Sequence, residues 1–174
     1  MPDEENTSAV ESEPLVCVIE IPKGSRNKYE FDQELGGIKL DRFVSASVVY
    51  PTDYGYLPDT LALDGDPLDV LVCVSEPTFP GCLVPTKPIG LFKMSDEKGP
   101  DDHVLCVPCS DPGWNWVNQI EDLPRQLRAE IGHFFSVYKD LDPGKHSEVQ
   151  GWDGLDAALA TIEEARERFR SQQA

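Results

Sequence analysis

The residues in this chain whose type and spacing best suit chemistry are the three aspartates of DGDPLD, Asp64, Asp66 and Asp69. They lie inside the apolar run Leu61 to Val74, where an unpaired carboxylate is too costly to keep ionised. A divalent cation is the natural counter-charge, and ligands that are all oxygen suit Mg²⁺ or Mn²⁺. The stretch therefore predicts a metal site, with an acidic but inert turn as the plainer alternative.

The elements that must position these aspartates are predicted as two strands of a hairpin. TLALD and PLDVLVCV have strand-like composition, and Gly65-Asp66-Pro67 supplies turn residues between them. Such a hairpin would gather the three carboxylates at one end. An EF-hand calcium loop is excluded, because the fifth, sixth and twelfth places of that loop fall on Leu68, Asp69 and Ser75.

A second acidic stretch, SDEKGPDD, contains Asp96, Asp101 and Asp102. It lies in a predicted hairpin loop between the strand ending in FKM and the strand HVLCVPC. An acidic exposed loop is usually only solvated. Facing the first cluster across the mouth of a barrel, however, it would complete a site for several divalent ions.

Cationic and aromatic residues accompany these clusters. The alternation in KYEF aims Lys28 and Glu30 to one side, Arg42 interrupts a strand-like pattern, and Glu20 is an acid on an otherwise apolar strand face. Each could be a solvated strand residue. Together, cations beside carboxylates indicate a negatively charged ligand held between metal ions and cationic side chains. YPTDYGY adds phenols that can pack or donate to a phosphate oxygen: Tyr50, Tyr54 and Tyr56.

The order of the predicted elements gives the fold class. Strand-like segments come first, followed by a helix from about Asp122 to Tyr138 and a second helix opened by Asp153 and Gly154. This order predicts an α+β, mainly β domain over residues 15–174, a small antiparallel barrel covered by two helices. Residues 1–14 carry five acidic and no basic groups and are predicted to be a disordered tail.

Composition and missing motifs exclude several classes of function. A formal charge of −17 over 174 residues argues against nucleic-acid binding. With no apolar span near the roughly 18 residues of a membrane helix and no signal-peptide pattern, the cytoplasm is expected. The five cysteines, including the CxxC pair Cys106 and Cys109, are interpreted as reduced core thiols. No nucleophile motif joins a histidine to a serine or cysteine.

Several of these stretches resemble one known family. They are IEIPKGSRNKYE, the Arg42 strand, YPTDYGY, DGDPLDVLV, MSDEKGPDD and HFFSVYKDL, and they resemble the soluble family I inorganic pyrophosphatases of the shorter bacterial type. The resemblance implies a five-stranded, OB-like barrel with flanking helices. It also implies hydrolysis of pyrophosphate to two phosphates by a metal-activated water, with several Mg²⁺ per subunit and Mn²⁺ or Zn²⁺ as possible substitutes. A homohexamer is the implied assembly.

The resemblance also implies roles for particular residues. Asp66 matches the carboxylate beside the attacking water, and Asp101 is the alternative proton acceptor. His103 stands where a lysine is expected. The implied metal ligands are Glu20, Glu30, Asp64, Asp69, Asp96 and Asp101, and the implied phosphate-binding residues are Lys28, Arg42, Tyr50, Tyr54, Tyr138 and Lys139.

Other classes of function compete with this interpretation. A catalytically silent barrel could bind phosphate compounds or a protein partner, although none of the DGDPLD aspartates is missing. A nucleic-acid-binding barrel would need a basic groove with stacking aromatics. A phosphohydrolase acting on nucleotides would need a base-binding pocket, for which the sequence offers no feature.

Overall fold

The structure, a computed structural model, describes residues 12–174. Most of the predicted acidic tail lies outside the described residues, so its disorder stays a prediction. The strands of the described range are Leu15–Ile21 (β1), Asn27–Asp32 (β2), Gly37–Phe43 (β3), Asp53–Leu57 (β4), Leu68–Val72 (β5), Leu83–Asp96 (β6), Gly99–Pro100 (β7), His103–Pro108 (β8) and Ser147–Asp153 (β9). Its helices are Arg125–Val137 (α1), Leu155–Gln173 (α2) and a short 3-10 helix, Ile120–Asp122.

Five strands close into a ring in the order β1-β4-β5-β8-β6, which the pairing of β1 with β6 completes. The mainly β fold and the OB-like barrel with two helices are thereby confirmed. One contact differs from the predicted antiparallel barrel, because β5 and β8 run parallel. A parallel pair needs a crossover, and β6 and β7 supply it before the chain returns in β8. Strands β2 and β3 form a separate two-stranded ribbon.

The two helices cover different parts of the barrel core. Helix α2 buries Ala158 and Ile162 in the cluster that contains Leu91 of β6 and Val104 of β8, while α1 buries Phe134 and Phe135 in the other cluster. Burying a side chain of this size contributes about 1.5–3 kcal/mol, which fixes both helices to the sheet. Both helices were predicted, and they begin directly after Pro124 and Gly154.

The predicted TLALD strand is wrong, because residues 60–64 form part of a loop between β4 and β5. The hydrogen bonds of this loop are not those of a strand pair. The Leu61 N–H donates to the carbonyl of Ala165 in α2 at 2.9 Å, and the Thr60 hydroxyl accepts from the Leu68 N–H at 2.9 Å. The Asp66 N–H donates to Asp64 Oδ1 at 3.0 Å. Asp64 and Asp66 therefore lie on a loop.

The prediction that all the cysteines lie in the core holds only in part. Cys17, Cys73 and Cys106 are buried, but Cys82 is half-buried and Cys109 is exposed because β8 ends one residue before it. All five are free thiols. Strand β9, which pairs with the distal half of β6, was not predicted. Over residues 12–174, no helix is both long and apolar enough to cross a membrane.

Candidate active site

Three potential metal ligands meet at one edge of the barrel: Asp69 in β5, Asp101 in the link from β7, and His103 at the start of β8. One ligand atom from each lies within 4.8 Å of the other two. The parallel pairing of β5 with β8, in register from Val70 opposite Val104, places Asp69 and His103 side by side. We call these three residues the acidic centre.

The electrostatics of the acidic centre favour a cation. Burial raises the pKa of Asp69 well above its ordinary value, and the nearby Asp101 carboxylate raises it further, while the Tyr54 hydroxyl opposes the shift. Burial raises the pKa of Asp64 as well, with added repulsion from Asp66 and Asp101. Carboxylates crowded in a low-dielectric site repel each other unless a cation neutralises them. Carboxylate oxygens and an imidazole are suitable donors for a divalent ion.

Asp69 lies between two cavities. The larger, of 610 Å³, is lined by six of the residues predicted for the site: Glu20, Lys28, Glu30, Tyr54, Asp66 and Asp69. The smaller, of 120 Å³, is lined by Asp64, Asp69, Asp101 and Asp102 together with the α2 residue Arg168. The DGDPLD and SDEKGPDD stretches are thus brought together across the barrel mouth.

Glu20, which lines the larger cavity, connects β1 of the barrel to the β2–β3 ribbon. Its Oε2 accepts a hydrogen bond of 2.8 Å from the Phe31 N–H, which ties the β2–β3 ribbon to β1. Burial raises the pKa of Glu20, and the charges of Glu30 and Asp66 add to the shift, while the Phe31 hydrogen bond and Lys28 oppose it. The three carboxylates therefore form a second region of negative charge that a cation would stabilise.

Lys28 and Arg42 lie opposite each other in the β2–β3 ribbon. Each forms an ion pair: Lys28 Nζ lies 2.9 Å from Asp41 Oδ2, and Arg42 NH1 lies 3.0 Å from Asp142 Oδ2. The Ser45 hydroxyl donates to the other oxygen of Asp142 at 2.7 Å. Asp142 therefore fixes the guanidinium to the segment that follows α1.

The three tyrosines predicted for the site share one aromatic cluster with Phe134. The ring centroids of Tyr50 and Tyr54 are 5.5 Å apart, those of Tyr50 and Phe134 are 4.5 Å apart, and those of Phe134 and Tyr138 are 5.2 Å apart. Burial raises the pKa of all three phenols, so their hydroxyls stay protonated and can donate hydrogen bonds.

Five predicted residues line neither of these two cavities: Arg42, Tyr50, Asp96, Tyr138 and Lys139. Two of them are still coupled electrostatically to the acidic centre, since Asp69 raises the pKa of Tyr50 and Asp101 raises that of Tyr138. Sequence reasoning missed Asp41 and Asp142, the ion-pair partners of Lys28 and Arg42. The only signal for Asp142 was its place in KDLDPG, three residues after Lys139.

The comparisons with known proteins agree with this geometry. The profile of the inorganic pyrophosphatase family matches residues 17–170. An inorganic pyrophosphatase from Methanosarcina acetivorans is 57% identical over 152 residues, which is 87% of this chain and 90% of that protein. Another, from Streptomyces coelicolor, is 54% identical over 88% of this chain and 94% of its own length.

Solved structures give the same result. An inorganic pyrophosphatase from Thermus thermophilus superposes with a TM-score of 0.88 at 42% identity, covering 98% of this chain and 97% of its own. One from Helicobacter pylori superposes with a TM-score of 0.89 at 36% identity, covering 96% and 99%. As the motifs of its sequence predict, the chain belongs to the inorganic pyrophosphatase family and is an inorganic diphosphatase (EC 3.6.1.1).

Proposed function

We propose that this pyrophosphatase hydrolyses pyrophosphate to two phosphates with Mg²⁺ held by its carboxylates and with no covalent enzyme intermediate. The observation that carries the proposal is the acidic centre, which borders a 610 Å³ cavity lined on another side by Lys28. Carboxylates that hold cations, next to side chains that hold an anion, suit a substrate that is itself highly anionic.

The carboxylates divide by location. Asp69 and Asp101 would hold one ion, since their oxygens are already grouped. Bound divalent cations lower the pKa of water and neutralise phosphoryl oxygens. Further ions would be held by the remaining predicted ligands Glu20, Glu30, Asp64 and Asp96. Mn²⁺ or Zn²⁺ would replace Mg²⁺ at such ligands.

The cationic and phenolic side chains would bind the phosphoryl groups. Lys28 lines the larger cavity, and Arg42 lies opposite it on the ribbon, so the two would hold one phosphate between them. Tyr54 lines the same cavity, and its protonated phenol can donate to a phosphate oxygen. With them, Tyr50, Tyr138 and Lys139 would stabilise charge that gathers on the leaving phosphate.

Asp66 is the proposed proton acceptor for the attacking water. It lines the larger cavity and lies on the exposed loop, so its carboxylate faces solvent and substrate. Asp101 is the alternative acceptor, but its oxygen lies within the group of ligand atoms formed with Asp69 and His103. A carboxylate that holds a cation is a weaker base, which favours Asp66.

Phosphate release by the purified protein tests the proposal. Three reactions are compared: pyrophosphate with Mg²⁺, pyrophosphate with excess EDTA, and ATP with Mg²⁺. We expect fast release from pyrophosphate with Mg²⁺ and little release in the other two reactions. Equal release from ATP would point to a broader phosphohydrolase, and no release at all would favour a silent barrel.

We also propose that the protein is a homo-oligomer of the cytoplasm, with the hexamer as the expected size. Exposed apolar side chains support an interface: Phe43 is 65% exposed, Phe79 63% and Leu83 64%. Burying apolar side chains of this size between subunits would stabilise such an assembly. Light scattering coupled to gel filtration measures the assembly, and a monomeric mass would refute it.

A further inference from the structure

The imidazole of His103 is almost completely buried, with 1% of its side chain exposed, at the edge of the acidic centre. Three aromatic rings fix it: its centroid lies 5.1 Å from that of Phe135, 5.6 Å from that of Tyr54 and 6.2 Å from that of Phe92. The position also begins strand β8, where His103 pairs with Phe92 of β6. Strand pairing fixes the backbone of His103, and the neighbouring aromatic rings fix the orientation of its imidazole.

That orientation directs Nε2 towards the carboxylates. Nε2 lies 3.6 Å from Asp69 Oδ2, which is longer than a hydrogen bond. Ligand atoms 2.0–2.2 Å from a shared metal lie about 3.0–3.5 Å from one another along the edge of a coordination polyhedron. The observed separation is thus close to that of two ligands of one ion. Asp101 supplies the third ligand atom, within 4.8 Å of both.

The other ring nitrogen, Nδ1, is buried and has no hydrogen-bond partner among residues 12–174. A buried polar ring without a hydrogen bond costs about 1–3 kcal/mol, so its presence calls for an explanation. Ligation through Nε2 would give the ring one polar bond that residues 12–174 do not supply, and Nδ1 would stay unpaired.

We infer that His103 is a metal ligand: its Nε2 joins Asp69 and Asp101 in a mixed nitrogen and oxygen site that holds Mn²⁺, Co²⁺ or Zn²⁺ more tightly than carboxylates alone would, and that still admits the Mg²⁺ of the proposed function. The inference rests on the proposed metal site of the hydrolase. Carboxylates alone suit Mg²⁺. An added imidazole strengthens the binding of Mn²⁺ a little and that of Co²⁺ or Zn²⁺ more, because affinity for nitrogen ligands rises from Mn²⁺ to the later divalent metals. One position of this chain would thereby change the relative affinities of the site for divalent ions.

Binding of the metal ion alone to the full-length protein tests the inference. Pulsed electron paramagnetic resonance of protein with one equivalent of Mn²⁺ detects the ¹⁴N coupling of a directly bound imidazole. Equilibrium dialysis then gives the dissociation constants of Co²⁺ and Mg²⁺. His103→Gln removes the imidazole at similar size, and His103→Lys serves as a second variant if the first does not fold. His133→Gln, at an exposed position of α1, is the matched control.

We expect the nitrogen coupling in the wild type and in His133→Gln, and its loss in His103→Gln. In His103→Gln, the dissociation constant of Co²⁺ should rise about tenfold or more, because the loss of a group from a metal site commonly weakens binding by at least that factor. The dissociation constant of Mg²⁺ should change by less than about threefold. Mn²⁺ bound without nitrogen coupling, or an unchanged ratio of Co²⁺ to Mg²⁺ affinity, would overturn the inference. Either result leaves pyrophosphate hydrolysis with Mg²⁺ intact, whereas failure of that hydrolysis in the wild type would refute the proposed function instead.

Discussion

Lys139 Nζ lies 3.0 Å from Asp96 Oδ2, and the two side chains are only 8% and 11% exposed. Burial alone would raise the pKa of Asp96, but the ion pair with Lys139 and the Lys98 N–H hold it below its ordinary value. A residue predicted to bind metal and a residue predicted to bind phosphate therefore neutralise each other. Two carboxylates that were not predicted for the site pair with the other proposed phosphate-binding cations: Asp41 with Lys28, and Asp142 with Arg42.

Breaking the Lys139 ion pair should destabilise the protein. Asp96→Asn and Lys139→Gln should each lower the free energy of unfolding by about 1–3 kcal/mol, because each leaves a nearly buried charge without its closest partner. In Asp96→Asn, Lys139 Nζ keeps only the longer contact of 3.5 Å with Glu97 Oε1. The double variant should lose less than the sum, with a coupling of about 1–3 kcal/mol. Urea unfolding in EDTA measures all four proteins.

The control for this cycle is Lys93 with Asp153, whose side chains are 40% and 47% exposed at 3.4 Å. An exposed pair of this kind contributes about 0–1 kcal/mol, so its coupling should be small. Additive losses at Asp96 and Lys139 would show that burial does not strengthen their pair.

Removing the charge of Asp142 should weaken substrate binding without slowing chemistry. Asp142→Asn frees the Arg42 guanidinium, so KM should rise about fivefold, equivalent to about 1 kcal/mol, while kcat changes little. Steady-state kinetics with pyrophosphate provide the measurement. Glu163→Gln is the matched control, because Glu163 pairs with Arg170 on the exposed face of α2. A lower KM in Asp142→Asn would mean instead that Asp142 competes with substrate for Arg42.

Asp66→Asn should keep the fold and the binding of divalent ions but lower kcat by a factor of about 10²–10⁴, the usual contribution of a general base. Thermal melting checks the fold, equilibrium dialysis with Mn²⁺ checks ion binding, and phosphate release measures kcat. Asp59→Asn makes the same change of charge at a neighbouring exposed position and should leave kcat unaltered. If Asp66→Asn also leaves kcat unaltered, Asp66 is not the base and Asp101 becomes the candidate.

Asp111 should make the fold sensitive to acid. Burial would raise its pKa, but hydrogen bonds from the N–H groups of Ser75 and Gly113 and from the Ser75 hydroxyl lower it overall. A pKa lowered by folding stabilises the protein above the ordinary value, about 3.9, and this contribution is lost as pH falls through the folded pKa. Asp111→Asn should therefore melt lower than wild type at pH 6, with the difference shrinking below about pH 4. A difference that stays constant down to pH 2 would show that the effect is not the titration of Asp111.

The parts of the structure that could be predicted are those with a local cause. Helix α1 follows Pro124 and α2 follows Gly154, and each has a periodic apolar stripe, so both appear in the sequence. TLALD has the composition of a strand, yet the Leu61 N–H donates to the carbonyl of Ala165 in α2. That partner is 104 positions away, so no local pattern could predict it.

The same limit applies to the candidate site. The residue types and spacing of DGDPLD indicated metal chemistry directly, and Asp69 does meet Asp101. The ion pair between Arg42 and Asp142 spans 100 positions and depends on how the ribbon lies against the end of α1. The grouping of His103 with Asp69 depends on the parallel register of β5 and β8, where an antiparallel barrel was predicted.

The most direct test of the central claim is pyrophosphate hydrolysis as a function of Mg²⁺ concentration for the wild type and Asp69→Asn. If the acidic centre holds the catalytic cation, removing one of its carboxylates should lower turnover by a factor of about 10² or more at low Mg²⁺, with partial recovery at high Mg²⁺. The same Mg²⁺ dependence and the same turnover in both proteins would contradict the account, because the active site would then lie elsewhere.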